Sequence, residues 1–189
     1  AVIRNNAVFN TNRALSAGDL GGYYVIDRTG SSTGVVIANN YLRDYGAPNR
    51  GIKGLYLDDG VSNVTVEGNV VTGSGTFGAQ IHSGNRNRFS GNIFDLGDTG
   101  RQWALLYQNS AGRGNMVGNV FENNLIVANF ANADALQGNV YFSGNSPNGF
   151  VHPAVSGNIY WNQQAGGSLP HHGDIADISP AIVDPRLSR

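Results

Sequence analysis

A corner built on asparagine, flanked by short apolar runs, recurs along the chain and constrains its fold more than any other feature. Each unit has two or three apolar positions, then Gly or Asn, then Asn, then two more apolar residues. It reads VIRNNAVF from Val2, VVIANNYL from Val35, VTVEGNVV from Val64 and RFSGNIF from Arg88. It continues as MVGNVF from Met116, LQGNVY from Leu136 and VSGNIY from Val155. The corner asparagines in this reading are Asn6, Asn40, Asn69, Asn92, Asn119, Asn139 and Asn158, separated by 34, 29, 23, 27, 20 and 19 residues. Such spacing marks one supersecondary unit that stacks on copies of itself.

The physics of the unit is specific. Alternation, as in Val64-Thr65-Val66, turns one face of a short strand inward. Gly and Asn tolerate a left-handed backbone, so the pair bends the chain sharply between two strands. Asparagines at equivalent corners can then hydrogen-bond their amides from unit to unit. No segment carries a helical period, and the Asn-Gly hairpin signal between alternating strands is missing. The expected class is all-β, a parallel β-helix of about seven rungs; a β-sandwich, which also needs many short strands and Gly-rich turns, is the alternative.

The clearest copy runs from Gly54 to Gly73: a strand at Gly-Leu-Tyr-Leu-Asp, a turn, a strand at Val-Thr-Val-Glu, a Gly68-Asn69 corner and a strand at Val-Val-Thr. First strands of the other rungs are expected at Gly22 to Asp27, Ala79 to Ser83, Ala104 to Gln108, Leu125 to Asn129 and Phe150 to His152. The coil is expected over residues 1–162, as the later part of a longer helix because it opens in mid-rung. Residues 163–189 carry Pro170, His171, His172, Pro180 and Pro185, break the repeat, and are expected to wrap the last rung.

Composition narrows the function classes. Charged residues are 13% of 189 and the formal net charge is −1, so no basic field exists to attract nucleic acid or a membrane surface. Cysteine is absent, which excludes disulfides and thiolate chemistry. Asp27, Asp58 and Asp59 offer hard oxygen ligands of the kind Ca²⁺ takes, but no ligand-spaced loop holds them. His171-His172 lacks partners for zinc. No metal and no cofactor is expected.

Strand alternation places the candidate site. With Leu55 and Leu57 inward, Tyr56 and Asp58 face out. With Ala79 and Ile81 inward, Gln80 and His82 face out. Ala104 and Leu106 inward would present Leu105 and Tyr107, and Asp58, His82 and Tyr107 would then form a column. The preceding strand is open between two registers, one presenting Tyr24 and Ile26, the other Val25 and Asp27. Asp19 or Asp27 with Asp58 or Asp59 would supply two carboxylates in the range used for glycoside cleavage, roughly 5 to 9.5 Å. Asp58-Asp59-Gly60 also reads as plain turn chemistry. His82 and Tyr107 beside Arg86 or Arg101 would suit β-elimination from a uronate, and His82 equally suits a hydrogen-bonded surface histidine. Tyr24, Tyr56, Trp103 and Tyr107 would pack against sugar rings, with Gln108 beside them; Phe9, Phe89, Phe94, Phe121 and Tyr141 read as core.

The order of these pieces resembles the right-handed β-helical carbohydrate-active proteins of the pectate-lyase-like superfamily, above all the β-helical fucosidase and xylanase type. The motifs are Asp19-Leu-Gly-Gly-Tyr-Tyr24, then Tyr56-Leu-Asp58-Asp59, then His82-Ser83-Gly84 with Asn92-Ile-Phe94, and finally Asn158-Ile-Tyr-Trp161 and Asp184-Pro185. The resemblance implies catalytic carboxylates at Asp19 and one of Asp58 or Asp59. It places Tyr24, Arg28, Tyr56 and His82 around the sugar and implies a secreted or periplasmic setting. Ser83 departs from the Gly-Gly turn of that pattern. The expected function is hydrolysis of glycosidic bonds in a polysaccharide or oligosaccharide. A polysaccharide lyase, or a glycan-binding or adhesin β-helix without catalysis, are the alternatives.

Overall fold

A computed structural model describes the chain apart from residues 13–18, 30–33, 48–49, 74, 99–101, 111–114, 132–134, 141–150, 165–166, 168, 170–174 and 186–189, and the side chains of 137–140. Among the described residues there is no helix. The strands come in triplets. The first is β1 (Val2–Arg4), β2 (Ala7–Phe9) and β3 (Gly21–Ile26); the second is β4 (Val36–Ala38), β5 (Tyr41–Arg43) and β6 (Lys53–Asp58). Next come β7 (Thr65–Glu67), β8 (Val70–Thr72) and β9 (Phe77–His82), then β10 (Arg88–Ser90), β11 (Ile93–Asp95) and β12 (Trp103–Asn109). The chain continues with β13 (Val120–Glu122), β14 (Leu125–Ala128) and β15 (Leu136–Val140), and ends with β16 (Ala154–Ser156), β17 (Ile159–Asn162) and β18 (Ala181–Ile182).

Up to β17 every third strand pairs in parallel with its counterpart, and β18 adds to β17 instead, giving sheets in the order β1-β4-β7-β10-β13-β16, β2-β5-β8-β11-β14-β17-β18 and β3-β6-β9-β12-β15. That arrangement is consistent with a parallel β-solenoid. Strands of three residues carry one inward side chain each, by the period of two. Ile37, Val66, Phe89, Phe121 and Val155 line the core from the first sheet, and Leu42, Val71, Phe94, Ile126 and Tyr160 from the second. Phe9, expected in the core, is 51% exposed because Val8 takes the inward position of its strand. Tyr141 lies outside the described residues.

Corners carry the second stabilising element. Asn5, Asn39, Gly68, Gly91, Asn123 and Gly157 all have φ between 53° and 65°, and each precedes a ladder asparagine. The ladder runs Asn6, Asn40, Asn69, Asn92, Asn124 and Asn158, each backbone N–H and each Nδ2 donating to the next Oδ1 at 2.8 to 3.0 Å. It closes on Asp177, whose Oδ2 accepts from Asn158 Nδ2 at 2.7 Å and from the Tyr160 hydroxyl at 3.0 Å. Two of the expected corners are corrected. Asn119 stands in a separate ladder, receiving the Asn87 N–H at 2.8 Å, and Asn124 takes the corner instead. Asn139 lies within strand β15. The Asn123-Asn124 pair has the same form as Asn5-Asn6 and Asn39-Asn40, the sequence signal that would have found it.

Sheet membership brings further corrections. Leu125 to Ala128 belongs to the second sheet, not to the long-strand sheet, whose fifth member is β15. Of the strand expected at Phe150 to His152, Val151 and His152 are not in a strand and Phe150 lies outside the described residues.

Each long strand also breaks its alternation near the start. A side chain at Gly54 would meet Val71 Cγ1 at 2.7 Å, and one at Gly78 would meet Phe94 Cδ1 at 2.6 Å, so both positions face the core, as do Leu55 and Ala79 immediately after them. Ala104 and Leu105 repeat the pattern, both fully buried in the core. The residue before each small one, Lys53, Phe77 or Trp103, points to the other face: Lys53 lies over the Tyr56 ring and Phe77 stacks on Trp103.

Candidate functional site

That break in alternation decides which side chains share the outer face. Tyr24 pairs with Tyr56, Tyr56 with Gln80, and Gln80 with Leu106. Ile26 pairs with Asp58 and His82 with Gln108. The open register of the first strand thus resolves toward Tyr24 and Ile26. Tyr107 is the correction: it pairs with Ile81, is fully buried in the core, and its hydroxyl lies 2.9 Å from the carbonyl oxygens of Met116 and Val151. Strict alternation from Ala104 misses this because Ala104 and Leu105 both turn inward. Gln108 takes the place in the column expected for Tyr107.

Asp58 is the centre of the site. Its side chain is 3% exposed, yet both carboxylate oxygens are satisfied. Oδ1 lies 2.6 Å from His82 Nδ1 and accepts the Asp59 N–H at 2.7 Å; Oδ2 accepts the Tyr24 hydroxyl at 2.5 Å. Burial alone would raise this carboxyl, but hydrogen bonds from His82, Tyr24 and Tyr56 outweigh it and hold the group down at about 2. Asp58 is therefore an anion at neutral pH and can only accept. Whenever the His82 ring carries a single proton, that proton sits on Nδ1 facing Asp58 and Nε2 is the acceptor. Nε2 lies 2.5 Å from Ser110 Oγ.

Asp19 approaches from the other side. Its side chain is 67% exposed, and Oδ1 accepts from the Tyr56 hydroxyl at 2.6 Å and from Lys53 Nζ at 3.2 Å. The Tyr56 hydroxyl is 3.4 Å from His82 Nδ1, so one phenol bridges Asp19 and the histidine that holds Asp58. Tyr56 stacks on Tyr24 with ring centroids 4.9 Å apart and on His82 at 6.5 Å. Burial, followed by hydrogen bonds to Asp58 and Asp19 respectively, pushes the Tyr24 and Tyr56 phenols well above the ordinary tyrosine range. Both remain donors at neutral pH. Tyr24, 43% exposed, presents ring surface to solvent.

The remaining expected residues divide. Arg28 Nε pairs with Asp59 Oδ2 at 2.8 Å at the rim. Asp27 turns aside, its Oδ1 accepting the Thr29 N–H at 2.9 Å. Trp103 is nearly buried against Phe77. Gln108 is fixed by a hydrogen bond from Gln80 Nε2, and Arg86 lies apart, donating to Asn63 at 2.9 Å. Arg101, His171 and His172 lie outside the described residues. Lys53 and Ser110 were missed: Lys53 faces out only because Gly54 breaks the alternation, and Ser110 lies past the end of its strand. The turn residue Ser83 is buried with φ 64°, a glycine-like conformation, and its Oγ accepts the Ser110 N–H at 3.0 Å.

One donor atom from each of Asp58, Asp59 and His82 lies within 4.8 Å of the others. Tyr24 and Arg28 already donate to two of these carboxylate oxygens, and Ca²⁺ takes six to eight oxygens. The arrangement is built as a hydrogen-bonded relay. Comparison with family models, with curated proteins and with solved structures finds no match to this chain.

Proposed function

We propose that the chain is a right-handed parallel β-helix of about seven rungs, of the pectate-lyase-like kind, and that the face bearing Asp58 hydrolyses glycosidic bonds. One observation carries the reading: the contacts Asp19 to Tyr56 at 2.6 Å, Tyr56 to His82 at 3.4 Å and His82 to Asp58 at 2.6 Å join two carboxylates through one phenol and one imidazole. Those distances keep the pair within the roughly 9.5 Å that such chemistry allows. Asp19, open to solvent, takes the proton of the attacking water. In its imidazolium form the His82 ring, held at Nδ1 by ionised Asp58, passes its Nε2 proton to the leaving oxygen. Asp58 works through His82 as a positioning anion, and Asp59 holds Arg28 at the rim. The exposed ring of Tyr24 packs against the sugar.

The substrate class is a polysaccharide or oligosaccharide met in a secreted or periplasmic setting. The lyase alternative has less support, since Tyr107 is in the core. The test is a panel of plant and bacterial glycans assayed for new reducing ends. Asp19→Asn and Asp58→Asn are each expected to lower the rate by about 10²- to 10⁴-fold. Full activity in either variant overturns the assignment, and unsaturated uronate absorbance without the variants' effect indicates elimination.

A further inference from the structure

We propose that Ser110 is a nucleophile and that this face also hydrolyses carboxylic esters, with O-acyl groups on sugar hydroxyls as the substrate class. The geometry is a relay of three groups: Ser110 Oγ lies 2.5 Å from His82 Nε2, and His82 Nδ1 lies 2.6 Å from Asp58 Oδ1. These are the contacts by which a serine is activated through an imidazole oriented by a buried carboxylate, whatever the fold that supplies them. The glycosidic reading makes no use of Ser110, and the ester reaction makes no use of Asp19.

Two further features shape the site for this role. Asp58 is anchored by Tyr24 and by the Asp59 N–H as well as by His82, so the ring it orients has one tautomer. Ser110 is itself positioned, since its N–H is held by the buried Ser83 hydroxyl at 3.0 Å, and Ser83 keeps a left-handed backbone to do so. Ser110 is only partly buried. Gln108, in register with His82, is held on this face by Gln80, whose Nε2 donates to its carbonyl oxygen.

The steps balance without a co-reactant. Ser110 Oγ attacks the ester carbonyl carbon as its proton moves to His82 Nε2. The tetrahedral intermediate collapses, the C–O bond to the alcohol breaks, and Nε2 returns the proton to the departing oxygen. Water then attacks the acyl-serine, giving its proton to Nε2. Breaking the acyl–Oγ bond releases the carboxylic acid, and Ser110 regains the proton. The sugar part of the substrate class rests on the Tyr24 face being a glycan site; the ester chemistry does not.

The whole chain is incubated with a fluorophosphonate probe and mapped by peptide mass spectrometry. Acid release is followed from p-nitrophenyl acetate and from acetylated xylan, with reducing ends read in parallel. A single adduct on Ser110, together with at least about a 10³-fold loss of acid release in Ser110→Ala, supports the proposal. His82→Ala is expected to lose the adduct, and circular dichroism reports whether each variant is folded. The proposal is overturned if the wild-type chain takes no adduct on Ser110, or if Ser110→Ala keeps wild-type acid release. Acid release without new reducing ends removes only the glycosidic reading, and the converse removes only this one.

Discussion

His82 Nδ1 lies 2.6 Å from Asp58 Oδ1, and that carboxylate is almost wholly removed from water. A buried anion with a cation-capable partner makes stability depend on acid. The folded Asp58 titrates at about 2, below the unfolded carboxylate near 3.8. Its contribution is therefore complete above the unfolded value and is lost as pH falls from about 4 toward 2. The shift corresponds to about 2 kcal/mol. Urea midpoints of wild type and Asp58→Asn should differ at pH 6 and converge as pH approaches 2. A gap that stays constant over that window would exclude the linkage.

The asparagine ladder should tolerate loss at its end far better than in its middle. Asn92 is fully buried; its Nδ2 donates to Asn124 Oδ1 and the Val66 carbonyl, and its Oδ1 receives two bonds from Asn69. Asn92→Ala strands buried donors and acceptors on both sides and should cost about 3 kcal/mol or more. Asn6→Ala, at the exposed end, should cost less than about 1 kcal/mol. Chemical denaturation of the two variants compares them directly.

Small residues at the start of the long strands carry a packing prediction. A Cβ at Gly54 would lie 2.5 Å from the Gly78 carbonyl oxygen and 2.7 Å from Val71 Cγ1. Backbone cannot move aside cheaply, so Gly54→Ala should destabilise by about 1 to 3 kcal/mol. At Gly51 nothing lies within 4 Å of the added atom, but its φ of 70° disfavours alanine there on conformational grounds alone. Thermal unfolding of both variants separates steric crowding from backbone strain: Gly54→Ala should show the larger loss.

Tyr56→Phe isolates the phenol that joins Asp19 to His82. The ring stack with Tyr24 survives, while the 2.6 Å bond to Asp19 does not. Under the glycosidic reading kcat should fall by at least about 10-fold, with KM changed less, because sugar packing relies on the Tyr24 ring. A variant that raises KM alone would assign Tyr56 to binding.

Much of the fold was legible in the repeat. Inward Leu55, Leu57, Ala79 and Ile81 follow from alternation, and five of the seven expected corner asparagines stand in the ladder. Asn119 and Asn139 misled because Gly-Asn before an apolar pair also suits a second bend and a strand interior; local pattern does not say which bend stacks on which. Tyr107 misled for a different reason. Nothing in Trp-Ala-Leu-Leu-Tyr marks where two consecutive residues face inward, since both faces of that strand are apolar and buried.

By itself the sequence determined the kind of structure: short alternating strands, left-handed Asn and Gly corners, and polar side chains placed opposite the core on successive units. Those are local properties, set by backbone sterics and by a side-chain period of two. The tertiary structure decided register and partnership. Two consecutive inward residues, Gly54-Leu55, Gly78-Ala79 and Ala104-Leu105, shift the alternation of their strands by one, and in the last of them this puts Tyr107 in the core and Gln108 beside His82. Stacking then joins residues 24 to 28 positions apart or more, so that Asp58, His82 and Ser110 meet within single hydrogen bonds. No spacing along the chain specifies that meeting, because loop lengths between units vary while the distance between hydrogen-bonded strands does not.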